Sequence, residues 1–377
     1  MKVLIVTNKD AGLYKFRKEL IEELVKQHDV FICLPYGEYV DVMREMGCRF
    51  VECKELKRHG TDLLPELRLI RFYQRLFKKL KPDIVLTYTI KPNIYAGMVS
   101  AYYGMNYVTN ITGLGTALEH EGWMQKLILQ LYKIGLKKSY KVFFQNRDNL
   151  HFFIKKRIVK NPYGLLPGSG VNLQEYQYMD YPDTDDIVVF LIIGRIMRDK
   201  GSDEILEAAD KIKQSNKNVV FRMIGECDEE HYVQKIARAV KDGQIDYVGF
   251  QTDIRPFLKE SHATIHASYH EGMSNVLLET AACGRPIIAT DVPGCRDTFT
   301  PGQSGIAFQP GDTASLVSAI RQFLQLTLEE KRRMGKMGRR KVEAEFDRRI
   351  VIDAYLNEIY KVSVGMKGEN RNVRKVV

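Results

Sequence analysis

The stretch DIVVFLIIGRIMRDKGSDEILEAADKIKQSNKNVVFRMIG, residues 186–225, decides the fold class. It opens with the apolar run DIVVFLIIG (186–194) and closes with VVFRMIG (219–225), and each run has the length and composition of a buried strand. Between them, SDEILEAADKIKQ (202–214) is predicted to form a helix. Near-continuous apolar strands separated by helices indicate a parallel sheet with helices on both faces.

The same alternation continues toward the C-terminus. Further strands are predicted at IDYVGF (245–250), ATIHAS (263–268) and PIIAT (286–290). From about Ala314 to Tyr360 the pattern is helical. These elements predict a doubly wound α/β domain over residues 186–346.

The N-terminal part has the same alternation of strands and helices. Its strands are predicted at KVLIVT (2–7), DVFICL (29–34), CRFVEC (48–53), PDIVLTY (82–88), NYVTNIT (106–112) and KVFFQN (141–146). A long helix is expected from about Trp123 to Tyr140. A doubly wound domain is therefore predicted over residues 1–171, followed by a polar, acidic linker at 172–185. Two such domains normally bind their ligand between the carboxyl ends of their sheets.

Length and charge agree with two domains and constrain the partners. The chain has 377 residues and a formal net charge of +10, and one domain has typically about 150 residues. Residues 1–170 contain 28 basic and 16 acidic residues, whereas the remainder contains 29 and 31. The N-terminal part is thus expected to face an anionic partner, either nucleic acid or a membrane surface.

Cysteine usage and hydropathy indicate where the chain works. The six cysteines form no CxxC pair, so buried thiols in a reducing compartment are expected. The first residues, MKVLIVTNKD (1–10), are predicted to be a strand and not a signal peptide, because the apolar run is short. No apolar stretch reaches the roughly 20 residues of a spanning helix. The protein is expected in the cytoplasm, with any membrane contact peripheral.

The motif EGMSNVLLE (271–279) follows a predicted strand and opens a helix near Ser274. Its two carboxylates, Glu271 and Glu279, suit the paired hydroxyls of sugars, and backbone N–H groups at a helix start suit an anion or a hydroxyl. The alternative is a solvated loop acid beside an exposed helix acid.

The motif GRIMRDKG (194–201) also follows a predicted strand. Arg195 and Lys200 would meet a bound phosphate with a forked guanidinium and with an ammonium point charge. The alternative is a basic turn that Gly201 closes.

Taken together, the motifs resemble the retaining glycosyltransferases of family 4, which have the GT-B fold of two Rossmann-like domains. The resemblance is carried by GRIMRDKG, YVGF (247–250), EGMSNVLLE and ACGRPIIATDVPG (282–294), and more loosely by KVLIVTNKDAGLYKFR, IKPNIYAG and TGLGTAL. The chain looks most similar to bacterial enzymes that build capsule, O-antigen or other lipid-linked glycans. In similar proteins the last helix, here about 347–377, returns to the first domain and completes it.

The resemblance implies a role for each matching residue. Arg195 and Lys200 would neutralise the diphosphate of a nucleotide-sugar donor, and Glu271 would act at the donor sugar, so these three are the expected catalytic residues. Glu279 would bind the ribose, and the N–H groups of Met273 and Ser274 would hold the sugar. The other implied donor-binding positions are Gly12 in the first strand–helix loop, Gly194, Val248, Gly249 and Phe250 near the nucleobase, Gly272 and Asn275.

The predicted chemistry uses no metal. Departure of a nucleoside diphosphate develops negative charge on the β-phosphate, which Arg195 and Lys200 would stabilise, and no DxD motif follows a predicted strand. The catalytic base stays open, because NITGLG (110–115) stands where many relatives carry a histidine or an acid, and His120 is a possible substitute. Three further histidines have no assigned role: His262, His266 and His270.

Two predicted helices, 63–81 and 123–141, concentrate the positive charge among apolar residues. Such helices favour an anionic membrane surface, and the alternative is an ordinary solvated helix face over a core. The residues expected to contact the membrane or an acceptor are Arg68, Arg71, Arg75, Lys78, Lys79, Lys133 and Lys137. Nucleic acid is disfavoured as the partner because no recognition motif is present.

The sequence thus predicts transfer of a hexose or N-acetylhexosamine, with UDP preferred as the nucleotide on resemblance alone, to a lipid-linked saccharide. Two alternatives remain open: a nucleotide-sugar epimerase of the same architecture, and a non-catalytic nucleotide-sugar-binding subunit.

Overall fold

The computed structural model of the chain describes four stretches: residues 1–56, 63–113, 122–227 and 229–373. For Leu63 and for residues 366–373 it describes the backbone alone. The chain divides into two compact units. The first comprises Met1–Ser169 with Arg349–Val377, and the second comprises Gly170–Arg348.

The first unit is built on a parallel sheet. Its strands are β1 (Lys2–Val6), β2 (Asp29–Leu34), β3 (Arg49–Glu52), β4 (Ile84–Tyr88), β5 (Asn106–Ile111), β6 (Lys141–Phe144) and β7 (Tyr163–Leu165). They lie in the order β3-β2-β1-β4-β5-β6-β7. Val3 pairs with Val30 on one side and with Ile84 on the other, so β1 is an inner strand with both neighbours parallel to it.

Helices pack on both faces of this sheet. They are α1 (Asp10–Val25), α2 (Val40–Glu45), α3 (Leu63–Leu80), α4 (Gly97–Tyr103), which follows a π-helical turn at Pro92–Ala96, α5 (Trp123–Gly135) and α6 (Arg147–Lys155). In α3, Leu69, Tyr73 and Phe77 recur every four residues and are buried against Leu4 and Val6 of β1. The basic residues of α3 are exposed on the opposite side of the helix.

The second unit repeats the architecture. Its strands are β8 (Val188–Ile193), β9 (Val219–Ile224), β10 (Asp246–Gly249), β11 (Ala263–His266), β12 (Ile287–Thr290) and β13 (Gly305–Phe308), in the parallel order β10-β9-β8-β11-β12-β13. Its helices are α7 (Ser202–Ser215), α8 (Glu230–Lys241), α9 (Arg255–Glu260), α10 (Asn275–Ala282), α11 (Thr313–Gln325) and α12 (Leu328–Glu345).

The last helix, α13 (Arg348–Val373), packs on the first unit. Its residues Val351, Tyr355 and Ile359 enter the same core as Ile5 of β1 and Leu20 of α1. A four-residue spacing of apolar side chains places one stripe of this helix against the sheet, as expected for a surface helix.

The fold class agrees with the prediction of two doubly wound domains, and the differences are local. The edge strands β7 (YGL) and β13 (GIAF) are absent from the sequence prediction, because each is short and contains a glycine, which interrupts the apolar run. The helical stretch predicted from Ala314 is three helices, and Thr327 begins one of them with a capping box that includes Glu330.

The segment 172–185, which the sequence predicts to be a linker, packs on the second unit. Tyr181 is buried and donates a hydrogen bond to the carbonyl oxygen of His262 at 2.8 Å. Asp185 forms an ion pair with the buried Lys331 at 2.7 Å. A polar segment can thus pack on a domain through a few aromatic and charged side chains that contact it.

All six cysteines are free, and Cys227 alone among them is only half-buried. Among the helices of the four described stretches, none has the length and apolar character that crossing a bilayer requires.

Arg285 holds several backbone segments of the second unit together. Its side chain is fully buried, and it donates five hydrogen bonds of 2.8–3.1 Å. The acceptors are the carbonyl oxygens of Met179, Asp180, Leu258, Lys259 and Cys283. Leu258 and Lys259 lie in the last turn of α9, whose carbonyls have no partner within the helix.

We expect Arg285→Met to lower the free energy of unfolding by about 3 kcal/mol or more, because several buried carbonyls lose their donor. Urea denaturation measures this loss. The matched control is Arg321→Met on α11, where the side chain is exposed and the change should stay within about 0.5 kcal/mol. A loss below about 1 kcal/mol in Arg285→Met would show that these hydrogen bonds contribute little.

Candidate active site

Lys200 and Glu271 meet at the carboxyl edge of the second sheet. The Lys200 Nζ atom lies 2.5 Å from Glu271 Oε1 and 3.3 Å from Ser268 Oγ. Lys200 follows β8 and Glu271 follows β11, and these strands are neighbours. Because parallel strands end at the same edge, the two motifs singled out in the sequence converge although they are 71 residues apart.

The loops that carry this ion pair are tied to each other by backbone contacts. Lys200 ends a short 3₁₀ turn, Arg198–Lys200, before α7. The carbonyl oxygen of Asp199 in that turn accepts hydrogen bonds from Tyr269 N at 2.9 Å and from Ser268 Oγ at 3.4 Å. The two loops therefore hold the charged side chains at fixed separation.

His266 is the site residue that the sequence analysis left without a role. It is the last residue of β11 and is buried, and its Nε2 atom lies 3.0 Å from Glu271 Oε1 and 3.3 Å from Ser274 Oγ. The other two histidines of that series lie elsewhere: His262 contacts backbone atoms of Thr184 and Val189, and His270 is exposed. The sequence feature that could have identified His266 as a site residue is its position at the end of an apolar strand.

Glu271 is ionised in this environment. Burial raises the pKa of its carboxyl group, but the hydrogen bond and charge of His266, together with the charge of Lys200, outweigh burial and bring the pKa to about 2. The carboxylate is thus negatively charged at neutral pH.

The segment from Glu271 to Ser274 is held by the chain at Gly294. Ser274 N donates to the carbonyl oxygen of Gly294 at 2.9 Å. Gly294 has φ +79°, and a Cβ there would lie 2.6 Å from the carbonyl oxygen of Glu271, so another residue would displace this loop. A side chain at 294 would therefore move the carboxylate.

This contact corrects the predicted role of Ser274. Its N–H group is engaged by Gly294, and its Oγ atom accepts from Leu277 N as the cap of α10, so its backbone is not free to hold a sugar. The side chain of Met273 is buried in the core with Leu277 and Leu278. Gly272 is half-buried at the turn between Glu271 and Met273.

Asn275 and Glu279 lie on α10. The buried Oδ1 atom of Asn275 has no hydrogen-bond partner among the described residues, so an acceptor is available at the start of the helix. Glu279 is half-buried one turn further on and faces Tyr176 and Cys283. Burial, and after it the charge of Glu279, raises the pKa of Tyr176 above its usual range.

Arg195 follows β8 and the backbone beside it is closely packed. A Cβ at Gly225, which has φ +149°, would lie 1.7 Å from the carbonyl oxygen of Gly194. Gly225 therefore has to be glycine, a requirement that the motif analysis did not identify. Arg195 itself is exposed, and it lines a small cavity of about 20 Å³ together with Lys200 and His266.

The three residues predicted near a nucleobase lie at the end of β10. Val248 packs against the core, Gly249 has φ +77° and accepts a hydrogen bond from Gly225 N at 3.0 Å, and the ring of Phe250 is 53% exposed. An exposed aromatic ring at a strand's carboxyl end can stack on a flat ligand.

Gly12 is placed differently from its prediction. It lies in the first turn of α1, not in the preceding loop, and a Cβ there would meet no atom within 4 Å. Packing within the chain therefore does not require glycine at this position. His120 lies outside the described residues.

Within the four described stretches, no three His, Cys, Asp or Glu side chains converge in a way that could hold a metal ion. The charged side chains described at the candidate site include Lys200, Arg195, Glu271 and Glu279.

The chain is similar along almost its whole length to two bacterial enzymes. It is 23% identical over 375 residues to the N,N'-diacetylbacillosaminyl-diphospho-undecaprenol alpha-1,3-N-acetylgalactosaminyltransferase of Campylobacter jejuni, covering 94% of this chain and 97% of that protein. It is 23% identical over 380 residues to the capsular polysaccharide biosynthesis glycosyltransferase CapM of Staphylococcus aureus, covering 96% and 98%.

Solved structures share its fold. HepE of Anabaena, determined in complex with UDP and glucose, superposes with a TM-score of 0.78 at 16% identity, covering 96% of this chain and 99% of HepE. Sucrose-phosphate synthase of Thermosynechococcus elongatus superposes with a TM-score of 0.79 at 17% identity, covering 97% and 100%. At this level of identity the likeness concerns the fold.

Family models match both parts of the chain. The model described as Glycosyl transferases group 1 matches residues 181–341, which include the whole candidate site. The model described as Glycosyl transferase 4-like matches residues 2–146. The alternatives of an epimerase and of a non-catalytic subunit have no such support. The chain therefore is a glycosyltransferase with the GT-B fold and belongs to family 4.

Proposed function

We propose that the chain is a retaining enzyme that transfers a hexose or N-acetylhexosamine from a UDP-sugar to a lipid-linked saccharide. The observation that carries this proposal is the group formed by Lys200, Glu271 and His266 beside Arg195. It combines cations for a diphosphate with an ionised carboxylate for a sugar at one sheet edge.

The cations would act on the leaving group. When the bond between the anomeric carbon and the β-phosphate oxygen breaks, negative charge grows on that phosphate, and preorganised cations stabilise it. The ammonium of Lys200 has three N–H donors, of which two are directed to Glu271 and Ser268, so one remains for a phosphate oxygen. Arg195 can add a forked pair of donors.

The carboxylate would act on the donor sugar. Glu271 can accept hydrogen bonds from sugar hydroxyls and can stabilise positive charge on the ring carbon as the bond breaks. Asn275, with its unused Oδ1 acceptor, would take another hydroxyl. With retention of configuration, the acceptor oxygen attacks the face that the phosphate leaves, and a β-phosphate oxygen takes the acceptor's proton. No metal ion is required for any of these steps.

The relatives support the choice of substrates. The Campylobacter jejuni enzyme is named for an acceptor that carries a saccharide on undecaprenol diphosphate, and HepE was determined with UDP. We transfer these substrate classes to this chain because its site offers matching charges. A panel of nucleotide sugars, incubated with and without lipid-linked acceptors, tests the proposal directly: transfer supports it, while epimerisation or no reaction contradicts it.

We further propose that the first unit binds the surface of an anionic membrane through α3 and α5, which both pack against α4. In α5 and just beyond its end, the exposed side chains comprise four lysines, three apolar residues and one glutamine, and no acid. They are Trp123, Lys126, Leu127, Gln130, Lys133 and Ile134 in the helix, followed by Lys137 and Lys138. Trp and Lys together are typical of an interfacial helix.

Helix α3 exposes less apolar surface to a membrane than its sequence suggests. Its inner apolar residues are buried or half-buried, so among the described side chains of this helix only Leu64 and Leu67 are exposed large apolar ones. Its basic residues are all exposed, and each would contribute about 1 kcal/mol near anionic lipid. They are Arg68, Arg71, Arg75, Lys78 and Lys79. This charge would place the active site at the cytoplasmic face of the membrane, where lipid-linked acceptors are presented.

Lys200→Ala should reduce kcat by about 10²- to 10³-fold, because a preorganised cation is lost from the departing phosphate. Initial rates with saturating nucleotide sugar and acceptor measure the effect. Lys211→Ala, an exposed lysine on α7, is the matched control and should keep the rate of the unmodified enzyme. A folded Lys200→Ala enzyme with near-normal turnover would refute the role given to Lys200.

The low pKa of Glu271 predicts how its stability contribution depends on pH. Since the folded-state pKa of about 2 lies below the unfolded value near 4.5, the contribution is complete above the unfolded pKa and is lost as the pH falls toward 2. The free energy of unfolding of the unmodified protein minus that of Glu271→Gln should be constant above about pH 5.5 and shrink by about 2 kcal/mol at pH 3. Chemical denaturation at each pH measures it, and a difference that grows with acidification would contradict the assignment.

Replacing Arg71, Arg75 and Lys79 by glutamine should weaken binding to vesicles of anionic phospholipid by about 100-fold, since three near-surface charges are lost. Sedimentation with vesicles at low salt measures binding, and 0.5 M salt should abolish it by screening. A control triple exchange on the second unit, at Lys211, Lys217 and Lys241, should leave binding unchanged. Equal binding by both triple variants would contradict the proposed membrane face.

A further inference from the structure

A hydrogen bond between two side chains joins the loop after β11 to helix α7, next to the candidate site. Tyr269 Oη donates to Glu204 Oε1 at 2.5 Å, and both residues are half-buried. Tyr269 comes two positions before Glu271. Glu204 lies in the first turn of α7, shortly after Lys200. The bond therefore connects the loop that carries Glu271 with the helix that Lys200 precedes.

Tyr269 holds the chain on both sides of Lys200. Its backbone N donates to the carbonyl oxygen of Asp199 at 2.9 Å, and its hydroxyl group donates to Glu204. Lys200 lies between these two acceptors in the sequence, at the end of the 3₁₀ turn Arg198–Lys200. Two hydrogen bonds from one residue fix both the position and the direction of the turn, which a single bond would not do.

Ser268 fixes Tyr269 relative to the ammonium group. It directly precedes Tyr269 and is buried, and its Oγ atom lies 3.3 Å from Lys200 Nζ. Thr290 Oγ1, at the end of β12, donates to the carbonyl oxygen of Ser268 at 2.6 Å. Tyr269 thus extends from a segment that the sheet holds in place, so it can act as a rigid support for the turn.

The hydroxyl group of Tyr269 is a donor at neutral pH. Burial, and after it the hydrogen bond to Glu204, raises the pKa of Tyr269 to about 12. The proton therefore stays on the hydroxyl oxygen and points to the carboxylate. Hydrogen bonds from an O–H group to a carboxylate are shorter and stronger than those between neutral groups. The bond is therefore a strong attachment between the loop after β11 and α7.

The stability of α7 alone does not explain a carboxylate at position 204. The second oxygen of Glu204, Oε2, is buried and has no hydrogen-bond partner among the described residues. An unpaired buried acceptor costs free energy, and an apolar side chain of similar size would avoid that cost. Such unfavourable groups are expected mainly at functional sites. We therefore assign the carboxylate to its bond with Tyr269.

The neighbouring carboxylate, Asp203, makes a similar bond away from the site. Tyr232 Oη donates to Asp203 Oδ2 at 2.9 Å, and Lys235 Nζ lies 2.7 Å from Asp203 Oδ1. Tyr232 and Lys235 lie on α8, so these contacts join two helices. The pair of Tyr232 and Asp203 thus has the same chemistry as the pair of Tyr269 and Glu204 but does not involve the loops after β8 and β11.

We propose that Tyr269 and Glu204 are positioning residues, which hold the turn before α7 so that the ammonium of Lys200 lies where the β-phosphate of the donor departs. This rests on the proposed function, in which Lys200 stabilises that phosphate. If the turn loosens, the flexible lysine side chain can still follow a bound diphosphate, so donor binding should change little. The transition state instead needs a preorganised charge, so kcat should fall.

Tyr269→Phe removes the hydroxyl group alone and should lower kcat about 10- to 100-fold, while the KM for the nucleotide sugar changes by less than about 2-fold. Glu204→Ala should have the same effect. Glu204→Gln keeps an oxygen acceptor for Tyr269 and should restore most of the rate. Initial rates measure these changes. Tyr232→Phe is the matched control, because it removes the similar bond to α7 and should keep kcat unchanged.

A double-mutant cycle shows whether Tyr269 acts through Lys200. In the Lys200→Ala background, Tyr269→Phe should lower kcat by less than about 2-fold, because the cation that it positions is already absent. Losses that add up in full would show that Tyr269 supports the reaction by another route and would overturn the proposal. A Tyr269→Phe enzyme with a lower Tm but normal kcat would overturn it too, since that is the result of a purely structural bond.

Hydrogen exchange tests the hold on the turn without any substrate. The N–H groups of Lys200 and Gly201 are hydrogen-bonded within the turn, and they should exchange about 10-fold faster in Tyr269→Phe but not in Tyr232→Phe. If no nucleotide sugar reacts although exchange changes in this way, the proposed donor is wrong and the hold of Tyr269 on the turn is supported. If transfer occurs and both variants exchange alike, the donor function stands and this proposal falls.

Discussion

The ion pair between Lys200 and Glu271 joins the loops that follow two neighbouring strands, β8 and β11, at a distance of 2.5 Å. Both side chains are largely withdrawn from water, so each one stabilises the charge of the other. His266 contacts the same carboxylate oxygen, and Gly294 packs against the backbone of Glu271, so the carboxylate is held from several sides. In the proposed function, a diphosphate would share the ammonium of Lys200 with this carboxylate.

Other buried cations of the chain are accommodated in different ways. Arg285 is surrounded by carbonyl oxygens and therefore acts as a structural connector. Lys331 has a single carboxylate partner, Asp185, and attaches residues 172–185 to the second unit. Arg17 donates to one carbonyl oxygen, that of Phe16, and lies over the rings of Tyr88 and Tyr355. Buried cations of this chain are thus stabilised by carbonyl oxygens, by a carboxylate or by aromatic rings.

The sequence predicts the fold class because apolar strands and intervening helices are long and regular. It predicts Arg195, Lys200 and Glu271 as one site because parallel strands end at a common edge, so residues distant in sequence must meet there. The short strands β7 and β13 give no pattern of their own. His266 could not be assigned, because its role depends on a contact with Glu271 that a strand residue shows only after folding. The same holds for Ser274, whose N–H group was expected to face a ligand and instead binds Gly294.

Gly225 has no side chain, yet its backbone determines the position of Arg195. Its backbone passes so close to Gly194 that even a methyl group would separate the ends of β8 and β9 and carry Arg195 with them. Position 225 is therefore closed to variation even when donor preference changes. In the proposed function, an effort to redesign sugar preference should begin at a side chain such as that of Asn275, whose exchange leaves this backbone contact intact.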